Sequence, residues 1–241
     1  MSGHSKWNNI KHKKEKSDAA KAKIFTKIGK EMAVAIKAGG PDPNNNSKLR
    51  DLIAKAKANN VPNDNIQRTI KKFTDNSDIN YEEITYEGYG PSGVAIIVET
   101  STDNRNRTAG NVRSWFNKYG GNMGKNGCVG YLFEEKGVIT IVDEDEEIDE
   151  DKIMEDALEC GAEDIKSDDG EYTIYTDPSD LDAVRDGIIA LGYKIETADV
   201  AKVPSTYVTL ESEEDVENME KMLEKFNEDD DVNAVYHNWD N

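Results

Sequence analysis

VITIVDEDEEIDEDKIMEDALECGAEDIKSDDGEYTIYTDPSDLDAVRDGIIALGYKIETADV, residues 138–200, switches between two hydrophobic periods in an order that fixes the fold class. Val138 to Val142 is a β-branched run and reads as a strand. Asp151 to Cys160 carries Ile153, Met154, Ala157 and Leu158 at helical spacing, predicting a helix with these four inward and Gly161 as its stop. Asp164 to Lys166 and Tyr172 to Tyr175 read as strands about the turn Asp168-Asp169-Gly170. Leu181 to Leu191 reads as a second helix ended by Gly192, and Lys194 to Val200 as a last strand. The order β-α-β-β-α-β is that of the ferredoxin-like split unit.

Outward from this stretch the rhythm continues. On the C-terminal side come a strand at Tyr207 to Leu210, a helix at Glu213 to Phe226 and a strand at Ala234 to Trp239. On the N-terminal side, Ile84 and Tyr86 lead into Gly88-Tyr89-Gly90-Pro91-Ser92-Gly93, and Val94 to Val98 follows as the return strand of a hairpin. Thr108 to Tyr119 is expected to be helical, with Val112, Trp115 and Phe116 as its apolar side. Val129 to Phe133 reads as a strand separated from Val138 by Glu134-Glu135-Lys136-Gly137. The economical solution joins the flanking pieces into one α+β domain with the split unit inserted.

The first 79 residues differ in kind. Lys6, Lys11, Lys13, Lys14 and Lys16, interleaved with His4, His12 and Trp7, form a basic arm too poor in apolar residues for a core. Ser17 is expected to cap a first helix, with Asp18 suiting its dipole. Ile24, Ile28, Met32 and Ile36 recur every fourth residue, widened by Phe25 and Ala35, and Gly39-Gly40-Pro41 ends the helix. Lys23, Lys27, Lys30 and Lys37 follow helical spacing on the other side. Ser47 is expected to cap a second helix with Leu49, Leu52, Ile53 and Ala56 inward and Lys48, Lys55 and Lys57 outward. After Val61-Pro62 a third helix carries Ile66, Ile70 and Phe73 on one face and Arg68, Lys71 and Lys72 on another. Helices this short need one another's apolar stripes, and the packing is expected to leave the lysines pointing out. The fold class is thus α+β in three domains, an N-terminal helical domain plus two ferredoxin-like α+β domains with the third inserted in the second: a basic arm and helical domain over 1–79, an α+β domain over 80–134 plus 204–241, and an inserted ferredoxin-like domain over 135–203.

Charge is polarised in the same way. Residues 1–75 hold 17 Lys and Arg against 7 acids, and the rest holds 13 against 42. A cationic end on an anionic body confines any nucleic-acid contact to that end, since the body repels phosphate. The basic segment docking on the acidic body is the competing reading. No apolar run approaches the roughly 18 residues that span a bilayer, so no membrane partner is expected. The lysine-rich start is unlike a secretory signal, and Cys128 and Cys160 make no disulfide framework, so a cytoplasmic location is expected.

Motifs of catalysis fail on spacing. The acidic run Asp143 to Asp151 has Ile148 where an EF-hand needs glycine, and reads as a solvated edge, as does Glu228 to Asp231. Tyr119 and Asn126 stand where Walker A needs glycine and Ser or Thr. Gly90-Pro91-Ser92-Gly93 is not a nucleophile elbow. Cys128 and Cys160 read as small core residues. No catalytic residue, metal ligand or cofactor is expected. What remains is the basic end, where lysines neutralise phosphates and Trp7 offers a stacking surface. The other is Thr102 to Thr108: Asp103 or Asn104 caps a helix there, or Asn104, Arg105 and Arg107 hold an anion or a partner. The candidate nucleic-acid-binding residues are Lys6, Trp7, Lys11, His12, Lys13, Lys14, Lys23, Lys27, Lys30, Lys71 and Lys72.

Gly3-His4-Ser5-Lys6-Trp7, Asn9-Ile10-Lys11-His12-Lys13, Lys23-Ile24-Phe25-Thr26-Lys27, Asn59-Asn60-Val61-Pro62, Tyr86-Glu87-Gly88-Tyr89-Gly90-Pro91 and the run Thr102 to Thr108 together resemble the YebC/PmpR family from end to end. Asn8, Ser92 and Cys128 depart from its pattern. The resemblance implies a helical first domain, two α+β domains with the third inserted in the second, and no enzymatic activity. Bacterial members are described as DNA-binding transcriptional regulators. Relatives of the mitochondrial translational activator of cytochrome oxidase are tied to the ribosome and to relief of stalled translation. Three readings stand: a regulator on promoter DNA, a translation factor on ribosomal RNA, and a protein-interaction module of unstated oligomeric state. The basic faces are rich in lysine and poor in base-reading Arg, Asn and Gln, which suits backbone contact and folded RNA.

Overall fold

The structure is a computed structural model and describes residues 18–75, 80–143, 148–168 and 170–240, with side chains from residue 22 onward. The chain is mixed α and β, a helical N-terminal region followed by sheet-containing units. It divides into two compact units, one built on Tyr131–Tyr207, the other on the residues up to Gly130 together with Val208–Trp239.

The helical region is α1 (Asp18–Gly39), α2 (Ser47–Ala58) and α3 (Asn63–Asp75). The fourfold stripe closes as expected: Ile28, Met32, Ala35, Ile36, Leu49, Leu52, Ala56 and Ile66 form one buried cluster, with Ile24, Ile53, Ile70 and Phe73 at its rim. The cap of α2 is one residue earlier than expected. Asn46, not Ser47, accepts the Leu49 amide at 3.1 Å. Its amide nitrogen also donates to the carbonyls of Ala35 and Gly40, both at 2.8 Å. Asparagine wins because its second polar atom satisfies orphan carbonyls at the end of α1 while the first caps α2. The expected Ser17 cap lies outside the described residues.

In the same unit, β1 (Glu82–Tyr89) and β2 (Ala95–Thr102) form the expected hairpin, followed by α4 (Arg105–Lys118) and β3 (Asn122–Met123). After the other unit come β8 (Val208–Thr209), α7 (Glu213–Glu228) and β9 (Val232–His237). The sheet order is β3-β1-β2-β9, antiparallel throughout. Phe116 of α4 and Phe226 of α7 meet at 5.2 Å between ring centres, and both are fully buried with Val112, Met219, Met222 and Leu223. Gly88 permits this packing, for a Cβ there would lie 2.9 Å from the Phe116 ring and 2.6 Å from the Asn122 carbonyl. The strand expected at Tyr207 to Leu210 does not enter this sheet: β8 stands outside it, Val208 donating its amide to Asn238.

The second unit holds β4 (Phe133–Val142), α5 (Glu150–Glu159), β5 (Asp164–Asp168), β6 (Glu171–Thr176), α6 (Leu181–Ala190) and β7 (Ile195–Pro204). Its order β5-β6-β4-β7, antiparallel throughout, is the ferredoxin-like arrangement. Ile139, Ile141, Ile153, Ile165, Ile174, Val184 and Ile188 fill its core. Two expectations are corrected here. The strand expected at Val129 to Phe133 is largely a 3-10 turn, Gly130–Leu132, and β4 begins at Phe133 and runs unbroken through Glu134 to Gly137, because those residues pair with Val200 to Val203 of β7. Leu158, expected inward, is 54% exposed, while Ala157 takes the core position.

Candidate nucleic-acid interface

The basic residues sort into those engaged within the chain and those left on the surface. Lys6, Trp7, Lys11, His12, Lys13 and Lys14 lie outside the described residues. Lys23, Lys27 and Lys30 do not simply point out as expected. They are half-buried and reach the C-terminal end of α7: Lys23 donates to the Glu228 carbonyl, Lys27 to the Asn227 carbonyl at 2.9 Å, and Lys30 to the Asp230 carbonyl at 2.8 Å. The Asn227 and Glu228 carbonyls end a helix whose dipole is negative there, so cations are favourable on two counts. Lys30 also pairs with Asp231 at 2.7 Å.

Asp231 is the centre of this contact. Its side chain is 5% exposed and receives Lys30, Arg107 at 2.6 Å, Thr108 at 2.8 Å and Thr102 at 3.1 Å. Burial pushes its carboxyl up, but the hydrogen bonds from Lys30, Arg107 and Thr108 outweigh it and hold it at about 2. The reading of Glu228 to Asp231 as a solvated edge therefore fails at Asp231. Arg107, read as a candidate for an anion or partner, is held by Asp231 and by Asp103 at 2.9 Å, and its guanidinium sits above its ordinary range through those hydrogen bonds. Asn104 caps α4, accepting the Arg107 amide at 3.1 Å. Arg105 is exposed.

A second buried carboxylate, Glu87, accepts the backbone amides of Gly127, Val129 and Gly130, each at 2.8 Å. Burial raises it, and the three amides together bring it below the ordinary range. It anchors the loop after β3, a role that spacing alone could not reveal because its donors lie 40 to 43 residues on.

The cations left on the surface are on α2 and α3. Arg50, Lys57, Arg68, Lys71 and Lys72 are exposed, and among the described residues none of them has an ion pair. Lys37, Lys48 and Lys55 are by contrast engaged with Asn80, Glu83 and Glu31. Arg68, Lys71 and Lys72 stand at i, i+3 and i+4 and so share one helix face. The Lys72 ammonium sits 5.2 Å from the Phe73 ring centre, which steadies its stem. Such a face offers several mobile cations to an extended polyanion, with Arg68 as its one planar fork. No helix among the described residues is long and apolar enough to cross a membrane.

Comparison with known proteins covers nearly all of the chain. Residues 5–76 match a family model described as the TACO1/YebC protein N-terminal domain, and residues 81–239 match one described as the TACO1/YebC second and third domain. A protein of Agathobacter rectalis, named "Probable transcriptional regulatory protein", is 56% identical over 241 residues, covering all of both chains. One of Acetivibrio thermocellus with the same name is 54% identical over 240 residues, 99% of each. A solved structure of a conserved hypothetical protein of Aquifex aeolicus is 42% identical and superposes with a TM-score of 0.81, covering 92% of this chain and 91% of that one.

Proposed function

This chain belongs to the TACO1/YebC family, and we propose that it is a non-enzymatic regulator of gene expression that binds nucleic acid backbones through its basic N-terminal region, with promoter DNA as its target. The observation that carries this reading is the α3 face, where Arg68, Lys71 and Lys72 are exposed and unpaired among the described residues. Lys23, Lys27 and Lys30 contribute indirectly, by holding α1 against the end of α7. The names of the curated relatives favour transcription. The lysine-rich chemistry of the same face favours a second reading, contact with ribosomal RNA in translation, because it recognises phosphate and shape and not sequence.

Crosslinking in living cells, with sequencing of both bound DNA and bound RNA, separates the two. Enrichment at discrete promoters is expected for the first, and a few sharp positions in ribosomal RNA would replace it by the second. In vitro, changing Arg68, Lys71 and Lys72 together to Ala should flatten the dependence of log affinity on log salt by about 2 to 3 units, since each phosphate contact contributes about 0.7 to 0.9. An unchanged slope removes α3 from the interface.

A further inference from the structure

The outer edge of β1 is covered only in part. Among the described residues β3 pairs there with Gly88 and Tyr89 alone, and Gly124 donates to the Glu87 carbonyl. Among the described residues the edge from Glu82 to Tyr86 has no strand beside it, since β2 lies on the inner side. A cleft of about 350 Å³ follows that edge, lined by six consecutive residues, Glu82 to Glu87, with Gly124 and Asn126 at one end and Arg105 above. A cleft lined by consecutive strand residues is a groove running along the strand, and an edge row of backbone donors and acceptors is a template for another strand.

Two side chains give the groove a chemical preference. The Tyr86 hydroxyl is buried and has no hydrogen-bond partner among the described residues, which is costly unless something arrives to use it. Tyr86 shares the sheet face of Gly88, the side on which Phe116 of α4 packs. Arg105, exposed and without an ion pair among the described residues, is near enough to act on the Tyr86 phenol, and so is Arg113. Glu83 projects to the opposite face and is neutralised by Lys48 at 2.6 Å. Glu82, on the Tyr86 face, is exposed and has no ion pair among the described residues.

We propose that the edge of β1 from Glu82 to Tyr86 takes an extended segment of a partner protein as an added antiparallel strand in line with β3. An acidic side chain of that segment meets Arg105 and the Tyr86 hydroxyl, and a basic one lies opposite Glu82. Running in the direction of β3, the segment passes Tyr86 first and Glu82 four residues later, so it reads acid-x-x-x-base from its N-terminus. Backbone hydrogen bonds supply affinity and the two charged positions supply direction. This site is independent of the nucleic-acid face of α3. The competing account is that Glu82 and Glu83 are edge guards that repel added strands.

The test uses the full chain and labelled, capped Thr/Val peptides of about eight residues, a usual strand length. One carries Asp and Lys in the acid-x-x-x-base order, one has them exchanged, and one has the first order with alternate backbone nitrogens methylated. The first should bind and slow amide exchange at Glu82–Tyr86, with about tenfold weaker binding for the exchanged peptide and none for the methylated one. Arg105→Ala should weaken the first peptide about fivefold, the scale of one exposed charge-assisted contact, and Tyr86→Phe should weaken it while raising the melting temperature, since the unpaired buried hydroxyl is gone. The proposal is overturned if no peptide binds at millimolar concentration, if all three bind alike, or if Arg105→Ala changes nothing. It is equally overturned if only an RNA or DNA oligonucleotide protects this edge, for Arg105 then serves phosphate.

Discussion

Asp231 concentrates more energy than any neighbour in its acidic run, because two cations and two hydroxyls converge on one buried carboxylate. Asp231→Asn leaves Lys30 and Arg107 facing an amide and should cost about 3 kcal/mol, as expected when one partner of a buried pair is removed. Its folded pKa of about 2 lies below the unfolded value of about 3.9. The stabilisation is therefore complete above about pH 4 and disappears as pH falls towards 2. Melting temperatures of the two proteins should differ at pH 7 and converge in that acid window; a difference that stays constant would mean the pairing is not what matters. Glu31 behaves oppositely. Burial raises its carboxyl, and Lys55 at 3.7 Å offsets that only in part, so its ionised form costs stability at neutral pH. Glu31→Gln should stabilise the protein by about 0.5 to 1 kcal/mol in urea titrations at pH 7, and destabilisation there would show that Lys55 dominates. Neither effect was readable from the chain. Glu228 to Asp231 looks like any solvated acidic turn until Lys30 and Thr108, 201 and 123 residues away, are brought to it.

Among the elements, legibility followed the range of the interaction that sets each one. The stripe of Ile28, Met32 and Ile36 and the βαββαβ order are periodic, so they could be counted. The boundaries that sequence missed were set by partners. β4 runs unbroken through Glu134 to Gly137 because β7 supplies its ladder, and Gly137 fits there because Thr176 and Leu181 crowd the place a Cβ would take. The cap of α2 moved from Ser47 to Asn46 because only Asn46 reaches back to Ala35 and Gly40. Asn46→Ala should therefore cost about 2 kcal/mol, a lost cap plus an orphaned buried carbonyl. Asn46→Ser restores the cap but not the reach and should recover about half. Equal recovery of all of it, read by chemical denaturation, would reduce Asn46 to an ordinary cap. Of the candidate site, Lys71 and Lys72 kept the exposed placement expected of them, whereas Lys23, Lys27 and Lys30 did not, for helical spacing says which side a lysine is on and not what lies opposite.

At the scale of the whole chain, charge is far less even than its −19 suggests. Residues 131–207 hold 24 acids and 6 basic residues, a net −18, which leaves −1 for the remainder. Three of the six basic residues in that unit are already engaged in ion pairs: Lys136 with Glu134 and Glu163, Lys202 with Glu135, Arg185 with Asp182 and Asp186. The surplus carboxylates repel one another over a range set by salt, about 30 Å at 0.01 M and about 10 Å at 0.1 M. Raising sodium chloride from 0.01 to 0.15 M should thus slow amide exchange in the core of this unit, at Tyr172 to Tyr175 of β6, several-fold, while Ile28 to Ile36 of α1 change little. On the proposed function, nucleic-acid affinity should move the other way over the same interval, falling log-linearly as counterions compete for α3. Salt should then act with opposite signs on the two properties, because the residues proposed to carry them lie on different stretches of one polarised chain. If β6 exchange were indifferent to salt, the carboxylates of 131–207 would be locally neutralised, and the acidity of this unit would have to be explained by what it binds and not by the repulsion it tolerates.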